Sequence, residues 1–220
     1  TTSGLGREFA RLFAQNGYNI VAVARNEVLL QQQKQELERQ FGVEMVYIVK
    51  DLSAEDSAQE VYDEIKHKGI NIDILINNAG FGSFGRYVDV DWQRQKGLAN
   101  VNMLAVMQLS YLFGKDMDRR GEGKIVNIAS IASFQAGPYM AMYYASKAFV
   151  RSFSEALHEE MKSSGVSVTA ICPGPVATNF ERNAHMINSA MFTRLRVYTP
   201  EVVAAKSYRA IMNNKAVYVV

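Results

Sequence analysis

Six short apolar runs rich in Val and Ile recur along the chain, at Tyr18 to Ala24, Glu44 to Val49, Ile72 to Ile76, Gly123 to Ile128, Val166 to Ile171 and Ala216 to Val220. Each is continuous rather than alternating and is bounded by Gly, Asp, Asn or Pro, the pattern of strands covered on both faces. Between them, apolar positions recur with helical spacing. In Arg7 to Asn16, Phe9, Leu12 and Phe13 share one stripe, and Gly17 follows, a residue suited to the turn just past a helix end. Glu27 to Gln40, Ala54 to Lys68, Asp91 to Arg119, Met140 to Ser163 and Thr199 to Asn213 predict five more helices. This alternation predicts an α/β protein with a doubly wound parallel sheet in three layers (α/β/α) and right-handed crossovers. No repeat, low-complexity segment or linker divides residues 1–220, which are therefore read as one domain. The least regular stretch, Ala177 to Tyr198, carries Phe180, Met186, Ile187, Met191 and Phe192 among polar residues. It reads either as a surface flap with an apolar underside or as an ordinary half-buried connection.

Composition narrows the function classes. The 24 basic and 22 acidic residues are interspersed, with a net charge of +2, and form none of the basic stripes of a nucleic-acid protein. No apolar run approaches the roughly 18 residues of a membrane span. A single cysteine, Cys172, excludes an intramolecular disulfide, and the three histidines, His67, His158 and His185, have no metal-ligand spacing. A cytoplasmic setting and no metal are the expectations. Cys172 reads as a small buried hydrophobe, the histidines as surface residues, and Trp92 as an anchor at a helix start.

The candidate chemistry sits at the ends of the predicted strands. Gly4 and Gly6 in "TTSGLGREF" lead straight into a helix, where unpaired amides and close backbone approach make a phosphate site. Thr2, Ser3 and Leu5 belong to the same turn. The stretch has no strand before it, so it reads as the second part of a nucleotide-binding turn, and "KAVYVV" stops inside a predicted strand. The expectation is an incompletely represented chain whose first strand is central in the sheet. The next strand ends in Arg25 and Asn26 without an acidic residue at its tip, which favours NADP over NAD, since an acid there receives the ribose hydroxyls and an Arg the 2′-phosphate. "DILINNAG" puts Asn77, Asn78, Ala79 and Gly80 at the ligand-binding edge of the sheet, and "IVNIAS" puts Ser130 after the next strand. "YYASK" sets Tyr143 and Lys147 four apart, on one face of a long helix. A neighbouring ammonium lowers a phenol's pKa by favouring phenolate, so Tyr143 reads as a proton donor and Ser130 as a group polarising the same substrate oxygen.

Taken together these residues resemble the short-chain dehydrogenases/reductases, with a Rossmann-like fold, over nearly the whole chain. "TTSGLG" is similar to the back of the family's Thr-Gly-x-x-x-Gly-x-Gly turn, and Asp51 and Leu52 to its adenine contact. "NNAG" is similar to its structural motif, Asn102 of "NVN" stands at its catalytic Asn, and Ser130, Tyr143 and Lys147 match its remaining catalytic set. "PGPVAT", with Pro173, Gly174, Val176 and Thr178, resembles its nicotinamide-contacting segment. Tyr143 rather than Tyr144 is chosen, because it alone stands four before Lys147 and 13 after Ser130. The resemblance implies hydride transfer between NADPH and a carbonyl or secondary alcohol, with Lys147 lowering the Tyr143 pKa and binding the nicotinamide ribose. It implies a proton path through Asn102, and a homodimer or homotetramer formed by the two long helices. A small-molecule substrate, apolar or acyl-bearing, is suggested by the flap; ketoacyl thioesters, steroids, sugars and small aldehydes stay open. Two other readings remain: a cofactor-sensing regulatory protein on the same fold, and a sugar-nucleotide epimerase or dehydratase, whose usual C-terminal substrate region is larger than the one here.

Overall fold

The computed structural model describes residues 2–178, 180 and 196–220. Most of the Ala177 to Tyr198 stretch, with Met186, Ile187, Met191, Phe192 and His185, lies outside the described residues. The order is α1 (Gly4–Gln15), β1 (Ile20–Ala24), α2 (Glu27–Phe41), β2 (Met45–Val49), α3 (Ser57–His67), β3 (Ile74–Asn77) and α4 (Trp92–Ala99). A π-helical turn (Asn100–Leu104) joins α4 to α5 (Ala105–Arg120), followed by β4 (Gly123–Ile128), α6 (Ala141–Met161), β5 (Val166–Cys172), α7 (Pro200–Met212) and β6 (Val217–Val219). The single helix expected over Asp91 to Arg119 is thus two helices, with the extra residue of a π turn inserted at Asn100–Leu104.

All strand pairs are parallel. β1 pairs with β2, and β3, β4, β5 and β6 pair in that order. The alternation of side chains along each strand builds two apolar layers. On one face, Phe9 and Phe13 of α1 and Ala204, Ala210 and Ile211 of α7 pack on Val126, Ile128 and Ile171. On the other, Ala58, Val61 and Ile65 of α3 and Leu109, Phe113 and Met117 of α5 pack on Ile125, Val166 and Val168. The neighbours Ile125 and Val126 therefore serve opposite layers, which is why β4 reads as a continuous apolar run. Leu30 and Leu37 of α2 cover Ala22 and Met45 beside α1. The result is the three-layer α/β arrangement expected. The outer edges of β1 and β3 both line a cavity of about 530 Å³, with Phe9 and Phe13 on one side and Leu109 and Phe113 on the other.

Within the apolar sheet runs a buried polar chain. The Asn77 side-chain amide donates to Ser110 Oγ at 3.1 Å and to Asn127 Oδ1 at 2.8 Å, and Asn127 Nδ2 donates to Ser154 Oγ at 2.9 Å. It ties β3, β4, α5 and α6 together near the strand tips, and each member has a partner, which is what makes buried polar groups tolerable. Among the described residues no helix is long and apolar enough to cross a membrane. Cys172 is buried as expected, whereas Trp92 opens α4 with its side chain 64% exposed and anchors nothing in the core. Asn127→Ala removes two buried hydrogen bonds at about 1 kcal/mol each and leaves a small cavity, for an expected loss of about 2–3 kcal/mol. Urea unfolding of that variant, of Asn77→Ala and of the double variant checks it: a coupling of about 1 kcal/mol is expected, and strict additivity would mean the chain does not act as a unit.

Candidate active site

The carboxyl ends of the parallel strands converge on a cavity of about 920 Å³. That is the edge where open α/β sheets bind ligands, and the volume lies within the range of small-molecule sites. Of the residues expected at the cofactor, Thr2, Ser3, Gly4, Leu5, Arg25, Asp51, Leu52, Asn78, Ala79, Gly80, Pro173, Gly174, Val176 and Thr178 all line it, as do Ser130, Tyr143 and Lys147. Gly6 does not. It is buried inside the first turn of α1 and lines the second cavity instead.

Three features fit a dinucleotide. The N-terminus of α1 is open: Ser3 makes no side-chain cap and no acidic residue sits in the first turn, so the end amides and the positive end of the helix dipole are offered to an anion. Gly4 has φ +51, and a Cβ there would stand 3.0 Å from the Thr178 methyl, so a side chain would be strained and would close the approach. At the tip of β1, Asn26 caps α2 by accepting from Leu29 N–H, while Arg25 reaches Asp51 at 3.6 Å with its side chain 78% exposed. Partial burial raises the Asp51 pKa, but hydrogen bonds from Ser53 and the Arg25 charge outweigh this and hold it below the usual value.

At the other end of the cavity, Ser130 follows β4 by two residues and caps the 3₁₀ turn Ile131–Phe134, its Oγ accepting from Ala132 N–H at 3.1 Å. Tyr143 and Lys147 occupy the buried face of α6. Burial pushes the Tyr143 phenol up to about 12; the hydrogen bond with the Ser130 side chain opposes the rise and the neighbouring Tyr144 adds to it. Burial likewise pushes the Lys147 ammonium down to about 8. Its Nζ donates to the Ile128 carbonyl at 2.7 Å and stands 5.9 Å from the centre of the Tyr143 ring. The net direction for Tyr143 is upward, because desolvation outweighs the Ser130 bond, and one of the three Lys147 donors goes to a backbone carbonyl. Tyr144 turns away, as expected, and lies against Gly137, where any Cβ would fall inside its ring.

Asn102 stands behind the cavity wall. Its side chain is fully buried on the π turn and lines no part of the cavity. Oδ1 accepts from Phe81 N–H at 3.1 Å, and Nδ2 donates to the Phe81 carbonyl at 3.0 Å and to Ser146 Oγ at 3.1 Å. It approaches Lys147 only across Gly80: a Cβ on that glycine would meet Asn102 Oδ1 at 3.2 Å and Lys147 Nζ at 3.4 Å. The motif marked the position, but the work of its amide is to fix the Phe81 backbone.

Sequence reasoning missed several wall residues. Phe81, Gln93, Arg94, Gly97 and Ala132 line the cavity near Tyr143. Arg94 donates to Ser83 Oγ at 3.1 Å and to the Gly82 carbonyl at 3.0 Å, holding the loop after β3. Lys50, which also lines the cavity, pairs with Glu60 at 2.7 Å. Position directly after a strand tip was a usable signal for Lys50 and Phe81. None existed for Gln93 and Arg94, whose helix α4 is brought in only by folding. Among the described residues no cluster of His, Cys, Asp or Glu could hold a metal.

A family model described as short chain dehydrogenase matches residues 1–187. The very-long-chain 3-oxoacyl-CoA reductase of Bos taurus is 37% identical over 188 residues, 82% of this chain and 59% of that protein. Its Mus musculus counterpart is 35% identical with the same coverage. The chain thus spans 59% of the length of these curated relatives. Among solved structures, a short-chain dehydrogenase from Sphingobium yanoikuyae in complex with NADPH superposes with a TM-score of 0.92 at 28% identity, over 99% of this chain and 84% of that one. The bulky-bulky ketone specific alcohol dehydrogenase from Comamonas testosteroni gives 0.86 at 28% identity, over 99% and 82%.

The buried ammonium has a measurable consequence. The folded pKa of Lys147, about 8, lies below the ordinary lysine value of 10.5. Between those values the unfolded chain holds a proton that the folded one does not, so this group makes stability rise with pH above 8. Lys147→Met removes that rise. At pH 7.5 it relieves at most about 3 kcal/mol of buried charge and orphans the Ile128 carbonyl at about 1–3 kcal/mol. Thermal unfolding at pH 7.5 and 9.5 is expected to show an unchanged or higher Tm at the lower pH and a flattened pH slope; a large loss of Tm would contradict the burial cost.

Proposed function

Because the chain belongs to the short-chain dehydrogenase family, we propose that it is an NADP-dependent oxidoreductase reducing a carbonyl to a secondary alcohol, with Tyr143 as the proton donor. The observation that carries the reading is the juxtaposition of Tyr143 with the Ser130 side chain in the buried end of the strand-tip cavity, with Lys147 held behind them. The open N-terminus of α1 and the glycine approach at Gly4 would hold the pyrophosphate. Arg25 would meet the 2′-phosphate, Asp51 and Leu52 the adenine, and Pro173, Gly174, Val176 and Thr178 the nicotinamide end. Bound there, the reduced nicotinamide would supply the hydride.

The protein's own part is positioning and proton supply. A phenol raised to about 12 is fully protonated at neutral pH. An alkoxide developing on the substrate is more basic than that phenolate, so transfer from Tyr143 runs downhill, with Ser130 stabilising the same oxygen. The reverse direction needs phenolate, so burial of Tyr143 favours reduction. Lys147 supplies positive charge beneath the site, and Asn102 acts as a positioning residue, setting Phe81 and the floor beside Gly80. The bovine and murine relatives are reductases of very-long-chain 3-oxoacyl-CoA by name, which supports a 3-oxoacyl thioester as the first substrate class to test. Assembly with a second copy through α5 belongs to the same reading. The exposed Leu104 at the end of the π turn and Met107 and Tyr111 of α5, spaced along one stripe, support it.

NADPH oxidation against a panel of 3-oxoacyl thioesters, bulky ketones and aldehydes tests the activity. Tyr143→Phe is expected to lower turnover about 10²–10⁴-fold while NADPH binding stays within about twofold; undiminished turnover removes Tyr143 from the reaction, and activity with no carbonyl favours the cofactor-sensing reading. Cofactor choice is read by kcat/KM with NADPH and NADH in the parent and in Arg25→Asp. A preference for NADPH that falls about tenfold or more is expected from loss of the charge-assisted phosphate contact, and an initial preference for NADH would reverse the assignment of Arg25.

A further inference from the structure

The stretch "NVN" carries two asparagines, of which Asn102 grips Phe81. Both stand on the π turn (Asn100–Leu104) that joins α4 to α5, and single π turns recur at functional sites. Residues two apart on a helical turn do not share a face. Asn102 accordingly reaches the loop after β3, whereas the Asn100 side-chain amide turns to the loop after β2 and donates to the Ser53 carbonyl at 2.8 Å. Val101 between them is buried and lines the strand-tip cavity.

The loop that Asn100 holds has little regular structure of its own. Residues 51–56, between β2 and α3, belong to no strand or helix, and the backbone bond that closes their first turn, Ala54 N–H to the Asp51 carbonyl, is long at 3.3 Å. Yet this loop supplies Asp51, Leu52 and Ser53 to the cavity wall. From Ser53 the contacts run on. Its N–H donates to Asp51 Oδ1 at 2.9 Å and its hydroxyl to the same oxygen at 2.8 Å, while Asp51 Oδ2 stands 3.6 Å from Arg25. With Arg25 78% exposed, that ion pair is weak by itself, so its place depends on where the loop holds the carboxylate. A continuous series of contacts thus joins Asn100 to Ser53, Asp51 and Arg25.

We propose that Asn100 is a positioning residue for the dinucleotide: by fixing the Ser53 backbone it sets Asp51 and Arg25 at the adenine end, so that one π turn aligns both ends of the cavity. This rests on the reading of that cavity as an NADPH site. Asn100 itself does not line the cavity. What it contributes is a wall in place before the cofactor arrives, which spares binding the ordering of a loop.

The test uses two variants. Asn100→Leu keeps the size of the side chain and removes its donor; Ser53→Ala keeps the bond from Asn100 and removes the hydroxyl link to Asp51. Calorimetric titration with adenosine 2′,5′-bisphosphate, which carries the adenine end alone, is expected to show about tenfold weaker binding in Asn100→Leu and about threefold weaker binding in Ser53→Ala. The double variant is expected to lose less than the product of the two, because both cut one chain of contacts. In turnover with NADPH, KM is expected to rise by about the same factor in Asn100→Leu while kcat at saturating NADPH stays within about twofold, a split that a general loosening of the fold does not produce. Unchanged affinity for the bisphosphate, strictly multiplicative losses, or a loss confined to kcat each overturn the proposal. A parent that binds neither the bisphosphate nor NADPH removes the dinucleotide reading itself. A parent that binds both, beside an Asn100→Leu that binds them as tightly, removes only the role of Asn100.

Discussion

The site depends on an ammonium kept out of water. Lys147 lies on the buried face of α6, where desolvation makes its charge costly, and the bond from its Nζ to the Ile128 carbonyl is the compensation the fold provides. That bond fastens α6 to the tip of β4. It fixes the rotation of the helix that also carries Tyr143, four residues earlier on the same face. Ser130 follows Ile128 by two residues, so one short segment of β4 presents both the anchor for the lysine and the hydroxyl that meets the tyrosine.

β4 can serve as such a reference because it is gripped from below. Asn127 precedes Ile128 and is joined through its side chain to Asn77 and Ser154. Those bonds cross from β3 to β4 to α6 in a layer otherwise packed with aliphatic side chains, where a hydrogen bond lacks competition from water and misalignment leaves polar groups stranded. Asn102 repeats the device one level up. Placed on a π turn between α4 and α5, it holds both the N–H and the carbonyl of Phe81 and turns the loop after β3 into part of the wall. The polar groups that look catalytic in a list of motifs thus divide into those that face the cavity and those that hold the facing groups still.

Burial then sets the chemistry. Tyr143 and Lys147 are driven in opposite directions by the same cause, because the neutral form of each is favoured out of water. A phenol at about 12 beside a lysine at about 8 keeps the proton on the tyrosine throughout the neutral range.

Much of this was legible in the residue order. Continuous Val and Ile runs between helical stripes specify strands covered on both faces, and the parallel α/β layering follows from that burial. Ser130, Tyr143, Lys147, the helix-start residue Gly4 and the strand-tip residues Arg25, Asp51 and Gly80 were identifiable because each sits at a fixed offset from a strand end or helix start, and local geometry alone sends such positions to one edge of the sheet. What the order could not determine was which atom each group would spend its hydrogen bonds on. The tie of Lys147 to Ile128, the grip of Asn102 on Phe81 and the arrival of Gln93 and Arg94 at the wall all join residues distant in sequence. Their outcome depends on packing distances and on the exclusion of water, quantities that exist only once the layers have closed.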